Sequence, residues 1–99
     1  LRIGEPAADL AVAAAIASAS WDRPLRADVI LVGEVGVSGE LRTVPHTAAR
    51  LKEAAALGFK SAVIPRRLRK NDELPGGIDI QEARTLREAL ELATVAREK

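Results

Sequence analysis

A chain of 99 residues, 47% apolar and 29% charged, has the balance of one globular domain with a single modest core. Its formal net charge of +1 is too small to indicate nucleic-acid binding by itself, and the absence of cysteine excludes disulfides, thiolate zinc sites and cysteine nucleophiles. Trp21 and Phe59 are the only aromatic residues and His46 is the only histidine, so we expect no stacking platform for several bases, no metal site and no Ser-His-Asp triad.

The first predicted element is an alanine-rich helix that runs from about Pro6 to Ser20, after a lead-in at Leu1 to Glu5 that is typical of a strand end. Proline suits the first turn of a helix, and alanine has the highest helix propensity. Because almost every residue of the stretch is apolar, we expect the helix to be buried on most of its faces. The segment from Trp21 to Pro24 should end it.

A short apolar run at Val29 to Val32 predicts a strand buried on both faces, in the middle of a sheet. Glycines recur in the segment that follows, from Gly33 to Glu40, and predict a turn that leads into a return strand at Leu41 to Val44. This segment is not a phosphate-binding loop, because no lysine-serine or lysine-threonine pair follows it.

The second half of the chain predicts a helix capped by Thr47 and ending near Leu57, a buried strand at Ser61 to Pro65, and an edge strand at Ile78 to Ile80. Thr85 and Glu88 have the spacing of a capping box, which starts a last helix. The predicted fold class is therefore α/β (α+β), a small mixed sheet packed with about three helices.

Basic residues cluster after the strand that ends at Pro65. Four cations occur within five residues and no acid lies among them, at Arg66, Arg67, Arg69 and Lys70. Such a cluster is either an electrostatic footprint for a polyanion or a solvated loop.

Three segments together resemble the proteolytic domain of Lon proteases, and in particular the C-terminal domain of the bacterial RadA (Sms) family of DNA-repair proteins. The segments are Gly4 to Asp9 before the small-residue helix, Val32 to Arg42 on the hairpin, and Arg50 to Pro65. The resemblance covers nearly the whole chain and implies that residues 1–99 are a single Lon-protease-like domain. With Leu1 at the start and no signal-peptide pattern, we expect a C-terminal fragment of a longer cytoplasmic protein.

Lon proteases use a serine-lysine dyad, in which a lysine amine takes the proton of the serine hydroxyl. The resemblance places the serine position at Ala7 and the lysine position at Arg50, eight residues before Gly58. Alanine has no nucleophile, and arginine stays protonated and cannot act as the base. Lys52 is a weak substitute, and Ser18, Ser20, Ser38 and Ser61 have no plausible base beside them in sequence. We therefore expect no catalytic residues.

The RadA resemblance implies a DNA-dependent ATPase in recombinational repair, whose zinc and nucleotide sites lie upstream of this domain. For the domain itself we expect no cofactor, no membrane partner, assembly into a ring that is hexameric, and contact with DNA phosphates. The candidate DNA-binding residues are Arg50, Lys52, Arg66, Arg67, Arg69 and Lys70, with Arg2, Arg26 and Arg42 behind them. The alternatives are a divergent serine-lysine peptidase and a protein-interaction module without a DNA role.

Overall fold

Three helices and six strands make up the part of the chain that the computed structural model describes, residues 7–66 and 74–95. In chain order they are β1 (Ala7–Asp9), α1 (Leu10–Trp21), β2 (Val29–Leu31), β3 (Glu34–Gly36), β4 (Leu41–Arg42), α2 (Thr47–Ala56), β5 (Ser61–Pro65), β6 (Asp79–Ala83) and α3 (Leu86–Ala93). The predicted mixed α/β class with three helices is confirmed.

The strands form two three-stranded sheets. β1, β3 and β4 pair antiparallel in the order β1-β3-β4, and β2, β5 and β6 pair parallel in the order β2-β5-β6. The prediction that the run at Val29 to Val32 lies in the middle of a sheet is wrong, because β5 occupies that position and β2 lies at an edge of the described sheet. The edge position predicted for the strand at Ile78 to Ile80 is confirmed, since β6 pairs only with β5 among the described strands.

The parallel sheet separates two layers of helix. Alternate residues of a strand point to opposite faces, and along β5 Val63 packs with the core residues of α1 and α3, whereas Ala62 and Ile64 pack with Leu51 of α2. Both faces are therefore covered, as expected for parallel strands. Helix α2 lies on one side of the sheet, and the pair α1 and α3 lies on the other.

The first helix begins later than predicted. Residues 7–9 form β1, with Ala7 opposite Gly36 and Asp9 opposite Glu34, and the helix starts at Leu10. Asp9 is the N-cap, and its carboxylate accepts a hydrogen bond of 3.1 Å from the backbone N–H of Val12. The predicted reversal of the chain at Gly33 to Glu40 is confirmed, but its first part forms β3, which pairs antiparallel with β1 and with the return strand β4.

Burial of α1 is one-sided, and the prediction that it is buried on most faces is wrong. Leu10, Ala14 and Ser18 are buried, while the side chains of Val12 and Ile16 are 56% and 67% exposed. The buried residues are spaced by four, which is one face of a helix. Apolar composition could not indicate which face packs, because nearly every position offers the same chemistry.

The helix ends follow local rules, with two corrections. Asp22 ends α1 in a left-handed conformation, with φ of 56°. Thr47 does not cap α2: His46 is the N-cap and makes no side-chain cap bond, and the Thr47 hydroxyl donates to the Val44 carbonyl at 2.7 Å. The capping box of α3 is confirmed in part, because Thr85 Oγ1 accepts from Glu88 N at 3.2 Å, but the Glu88 carboxylate accepts from Arg84 N.

Candidate nucleic-acid interface

Two of the predicted DNA-binding residues extend from the outer side of α2. Leu51 and Ala54 bury the inner side of the helix against the parallel sheet, which leaves Arg50 and Lys52 exposed. Glu53, also exposed, is the one acidic residue of this helix. The outer side of α2 therefore carries more positive than negative charge.

The connection between β5 and β6 returns to the described chain beside α2. Lys52 lines a shallow depression together with Ala48, Ala49, Leu74 and Pro75. Leu74 and Pro75 are the first described residues after Arg66, and they lie next to Lys52. We call this region, formed by the outer side of α2 and residues 74–75, the α2 surface.

Of the remaining residues predicted to bind DNA, some lie in the described part of the chain and others lie outside it. Arg66 is exposed at the end of β5, where its backbone N–H donates to the Ala83 carbonyl at 2.8 Å. Four further predicted residues lie outside the described residues, namely Arg2, Arg67, Arg69 and Lys70.

Arg26 and Arg42 are half-buried and interact within the fold. Arg26 Nη2 donates to the Ser61 hydroxyl at 2.8 Å, and its Nε lies 4.0 Å from Asp28 Oδ1. Arg42 Nη2 donates to Glu40 Oε2 at 2.9 Å. These guanidinium groups hold the strands and the hairpin together, so less of their hydrogen-bonding capacity remains for an external anion.

Glu40 stabilises the hairpin between β3 and β4. Its carboxylate accepts the hydrogen bond from Arg42, which is the largest cause of a lowered Glu40 pKa, and it also accepts from the backbone N–H of Ser38 at 3.0 Å. A side chain at Gly36 would collide with this carboxylate. The ionised form of Glu40 therefore persists to lower pH than that of an ordinary glutamate.

The two positions that the resemblance to Lon proteases assigns to the serine-lysine dyad lie in different elements. Ala7 is the first residue of β1, and Arg50 lies in the first turns of α2. Of the serines, Ser18 donates its hydroxyl hydrogen to the Ala15 carbonyl at 3.0 Å, and Ser61 accepts from Arg26. Neither of these two hydroxyl contacts joins a serine to a lysine.

The contact between α1 and α3 brings together a second group of residues, most of them charged, which the sequence analysis did not predict. Trp21, Arg23, Arg87 and Glu91 line an open cleft of about 430 Å³. Trp21 was noted as one of two aromatic residues, but the sequence carries no signal that α3 would place Arg87 beside it. We call this group the Trp21 cleft.

Within residues 7–66 and 74–95, no group of three or more His, Asp or Glu side chains could hold a metal ion. No helix there has both the length and the apolar character that crossing a membrane requires.

Comparison with known proteins identifies relatives along nearly the whole chain. It is 40% identical over 93 residues to DNA repair protein RadA of Listeria monocytogenes, covering 94% of this chain and 20% of that protein. The RadA proteins of Mycobacterium tuberculosis and Aquifex aeolicus are 43% and 41% identical over 91 and 92 residues, which are 92% and 93% of this chain and 18% and 20% of those proteins. The predicted relationship to RadA is confirmed, and the chain spans about a fifth of the length of these relatives.

A family model also matches the chain. The family is described as subunit ChlI of Mg-chelatase, and its model matches residues 3–67, from before β1 to just after β5. This match includes the hairpin, the parallel pair β2 and β5, and the whole of α2. The chain therefore belongs to the family described as subunit ChlI of Mg-chelatase.

Proposed function

We propose that this chain is a non-catalytic, C-terminal, Lon-protease-like domain of a RadA-type DNA repair protein, and that it contacts DNA phosphates through the α2 surface. The observation that carries the proposal is that Arg50 and Lys52 are both exposed on one helix, whose inner residues Leu51 and Ala54 are buried. The names of the relatives support a role in DNA repair. The whole protein would be a cytoplasmic, DNA-dependent ATPase, with its cofactor sites outside this domain.

The α2 surface suits phosphates better than bases. Lysine and arginine side chains neutralise phosphates and release condensed counterions, which gives binding that depends on salt and not on sequence. The described α2 surface carries two cations and the carboxylate of Glu53, with alanine, leucine and proline around them, and it includes no aromatic side chain for stacking. The proposed contact is therefore non-specific.

Assembly into a ring, which we propose to be hexameric, is the second part of the proposed role. The exposed side of α1 supports it, because Val12 and Ile16 leave apolar surface in water on the face of the parallel sheet opposite to α2. Subunit contacts on that side would leave the α2 surface open to DNA. A protein-interaction module without a DNA role would use the same apolar surface, and a salt titration of DNA binding separates the two.

Removing both cations of α2 tests the DNA contact. We expect Arg50→Gln with Lys52→Gln to weaken binding to a labelled duplex and to reduce the slope of log K against log[salt] by about 2, because each lost phosphate contact lowers it by about 0.9. The measurement is fluorescence anisotropy at several salt concentrations. The matched control is Lys60→Gln with Arg84→Gln, which removes two other exposed cations. An unchanged slope in the α2 variant, or an equal loss in the control, would contradict the proposal.

The peptidase alternative makes the opposite prediction for serine chemistry. The lysine of a serine-lysine dyad lies in a pocket sheltered from water, whereas Lys52 and Lys60, the lysines among the described residues, are both exposed. We expect a fluorophosphonate probe, which reacts with activated hydroxyl groups, to label the folded chain no more than the heat-denatured chain. Stoichiometric labelling of the folded chain alone would establish an enzyme.

A further inference from the structure

The Trp21 cleft lies on the side of the parallel sheet opposite to the α2 surface. Trp21 and Arg23 come from the end of α1 and the segment after it, and Arg87 and Glu91 lie one turn apart on α3. The cleft is open to solvent and has a volume of about 430 Å³. The cleft holds two guanidinium groups, one carboxylate and the single tryptophan of the chain.

The tryptophan and one arginine form a layered pair. The Arg87 guanidinium carbon lies 5.4 Å from the centroid of the Trp21 ring, within the range of a cation-π contact, and Trp21 remains 36% exposed. A planar guanidinium held against an aromatic ring is a surface on which a nucleic-acid base stacks. One such pair serves one base, which is consistent with an aromatic content too low for an extended stacking platform.

The second arginine has unused hydrogen-bonding capacity. Arg23 Nε is buried and has no hydrogen-bond acceptor among the described residues, although the side chain lines the cleft. A buried donor without a partner is unfavourable, and a guanidinium pairs well with the two oxygens of a phosphate or a carboxylate. Because the Arg23 side chain lines the cleft, its guanidinium is available to an anion that enters it.

Glu91 adds a requirement on the ligand. Its carboxylate repels any anionic group, so a ligand that fills the cleft should also carry a hydrogen-bond donor for it. In a site for a nucleotide, the phosphate pairs with Arg23, the base stacks on the Trp21 and Arg87 pair, and the Glu91 carboxylate accepts a hydrogen bond from an exocyclic amino group such as N4 of cytosine. A nucleotide can therefore interact with Arg23, with the Trp21 and Arg87 pair, and with Glu91.

We propose that the Trp21 cleft binds one nucleoside monophosphate unit with a preference for a base that carries an exocyclic amino group, as cytosine does. The unit is either one residue of single-stranded DNA or a free nucleotide. This deepens the proposed DNA contact by adding a second site, and it uses residues that the α2 surface does not contain.

Trp21 makes the proposal directly measurable, because it is the single tryptophan of the chain. We expect oligodeoxycytidine and dCMP to quench its fluorescence, and oligodeoxythymidine to bind more weakly. Tighter binding of the oligonucleotide than of dCMP would identify a DNA strand as the ligand, and equal affinities would identify a free nucleotide. If oligodeoxycytidine, dCMP and oligodeoxythymidine all fail to quench the Trp21 fluorescence, the proposal is overturned.

Two variants locate the effect. Arg23→Gln should weaken binding of dCMP about tenfold through loss of a charge-assisted hydrogen bond, whereas Lys60→Gln, which removes one exposed cation elsewhere, should not. Glu91→Gln alters an exposed side chain, so the fold is retained, and it should abolish the preference for cytosine over thymine. Unchanged affinity in Arg23→Gln together with unchanged base preference in Glu91→Gln would overturn the proposal.

The two DNA proposals fail in different ways. If the α2 double variant loses duplex affinity while dCMP fails to quench Trp21, the α2 surface contacts DNA and the Trp21 cleft does not bind a nucleotide. In the opposite case, dCMP quenches Trp21 and Arg23→Gln weakens dCMP binding, but the α2 double variant retains the salt slope of DNA binding. The Trp21 cleft is then a nucleotide site and the α2 surface is not a DNA contact.

Discussion

Replacing Leu90 with alanine is expected to lower the free energy of unfolding by about 2–5 kcal/mol. Leu90 is fully buried in the core between α3, α1 and the parallel sheet, together with Leu10 and Val63. The substitution removes apolar contacts and leaves a cavity that the alanines around it cannot fill. Because a domain of this size is stable by only about 5–15 kcal/mol, the variant should lose a large part of its stability. Urea unfolding followed by circular dichroism measures the change.

The matched control for this experiment is Leu57→Ala. Leu57 follows α2 and its side chain is 73% exposed, so removing it should change the unfolding free energy by no more than about 0.5 kcal/mol. Equal losses in Leu90→Ala and Leu57→Ala would contradict the assignment of Leu90 to the core.

Enlarging a buried alanine is expected to have the second largest effect. Ala14 is fully buried where α1 packs on α3, and Ala89 and Ala93 of α3 are fully buried in the same cluster. Small side chains on both helices let their backbones approach closely, so Ala14→Leu should force the helices apart and destabilise the chain by about 1–3 kcal/mol. The shift of the urea midpoint at unchanged slope measures this cost.

The same substitution elsewhere on α1 provides the control. Ala11 is exposed, and leucine is nearly as good a helix former as alanine, so Ala11→Leu should change the unfolding free energy by less than about 0.5 kcal/mol. A stable Ala14→Leu variant would show that the small residues do not set the spacing between α1 and α3.

Elements with strong local signals were predicted well from the sequence. The strand at Ser61 to Pro65 has the observed bounds, because a β-branched run closed by proline has few other conformations. The last helix starts as predicted at the Thr85 capping box. The start of α1 was predicted wrongly, because the pairing of residues 7–9 with β3 competes with helix propensity. The N-cap at Asp9 is a local signal for the observed start, but the prediction did not use it.

For the candidate sites, the sequence indicated the basic residues by their type, and the resemblance to Lon proteases led to the prediction, which stays a prediction, that the serine-lysine pair is absent. The sequence could not indicate that Lys52 lies beside Leu74, or that Arg87 lies over Trp21.

Residue chemistry and short-range spacing by themselves determined the fold class, most of the elements and the charges available to a partner. Only the tertiary structure decided which side of α1 is buried, that β5 lies between β2 and β6, and that α3 completes the Trp21 cleft. The physical reason is that local propensities act over a few residues, whereas the burial of apolar surface selects among arrangements of whole elements that are distant in the chain.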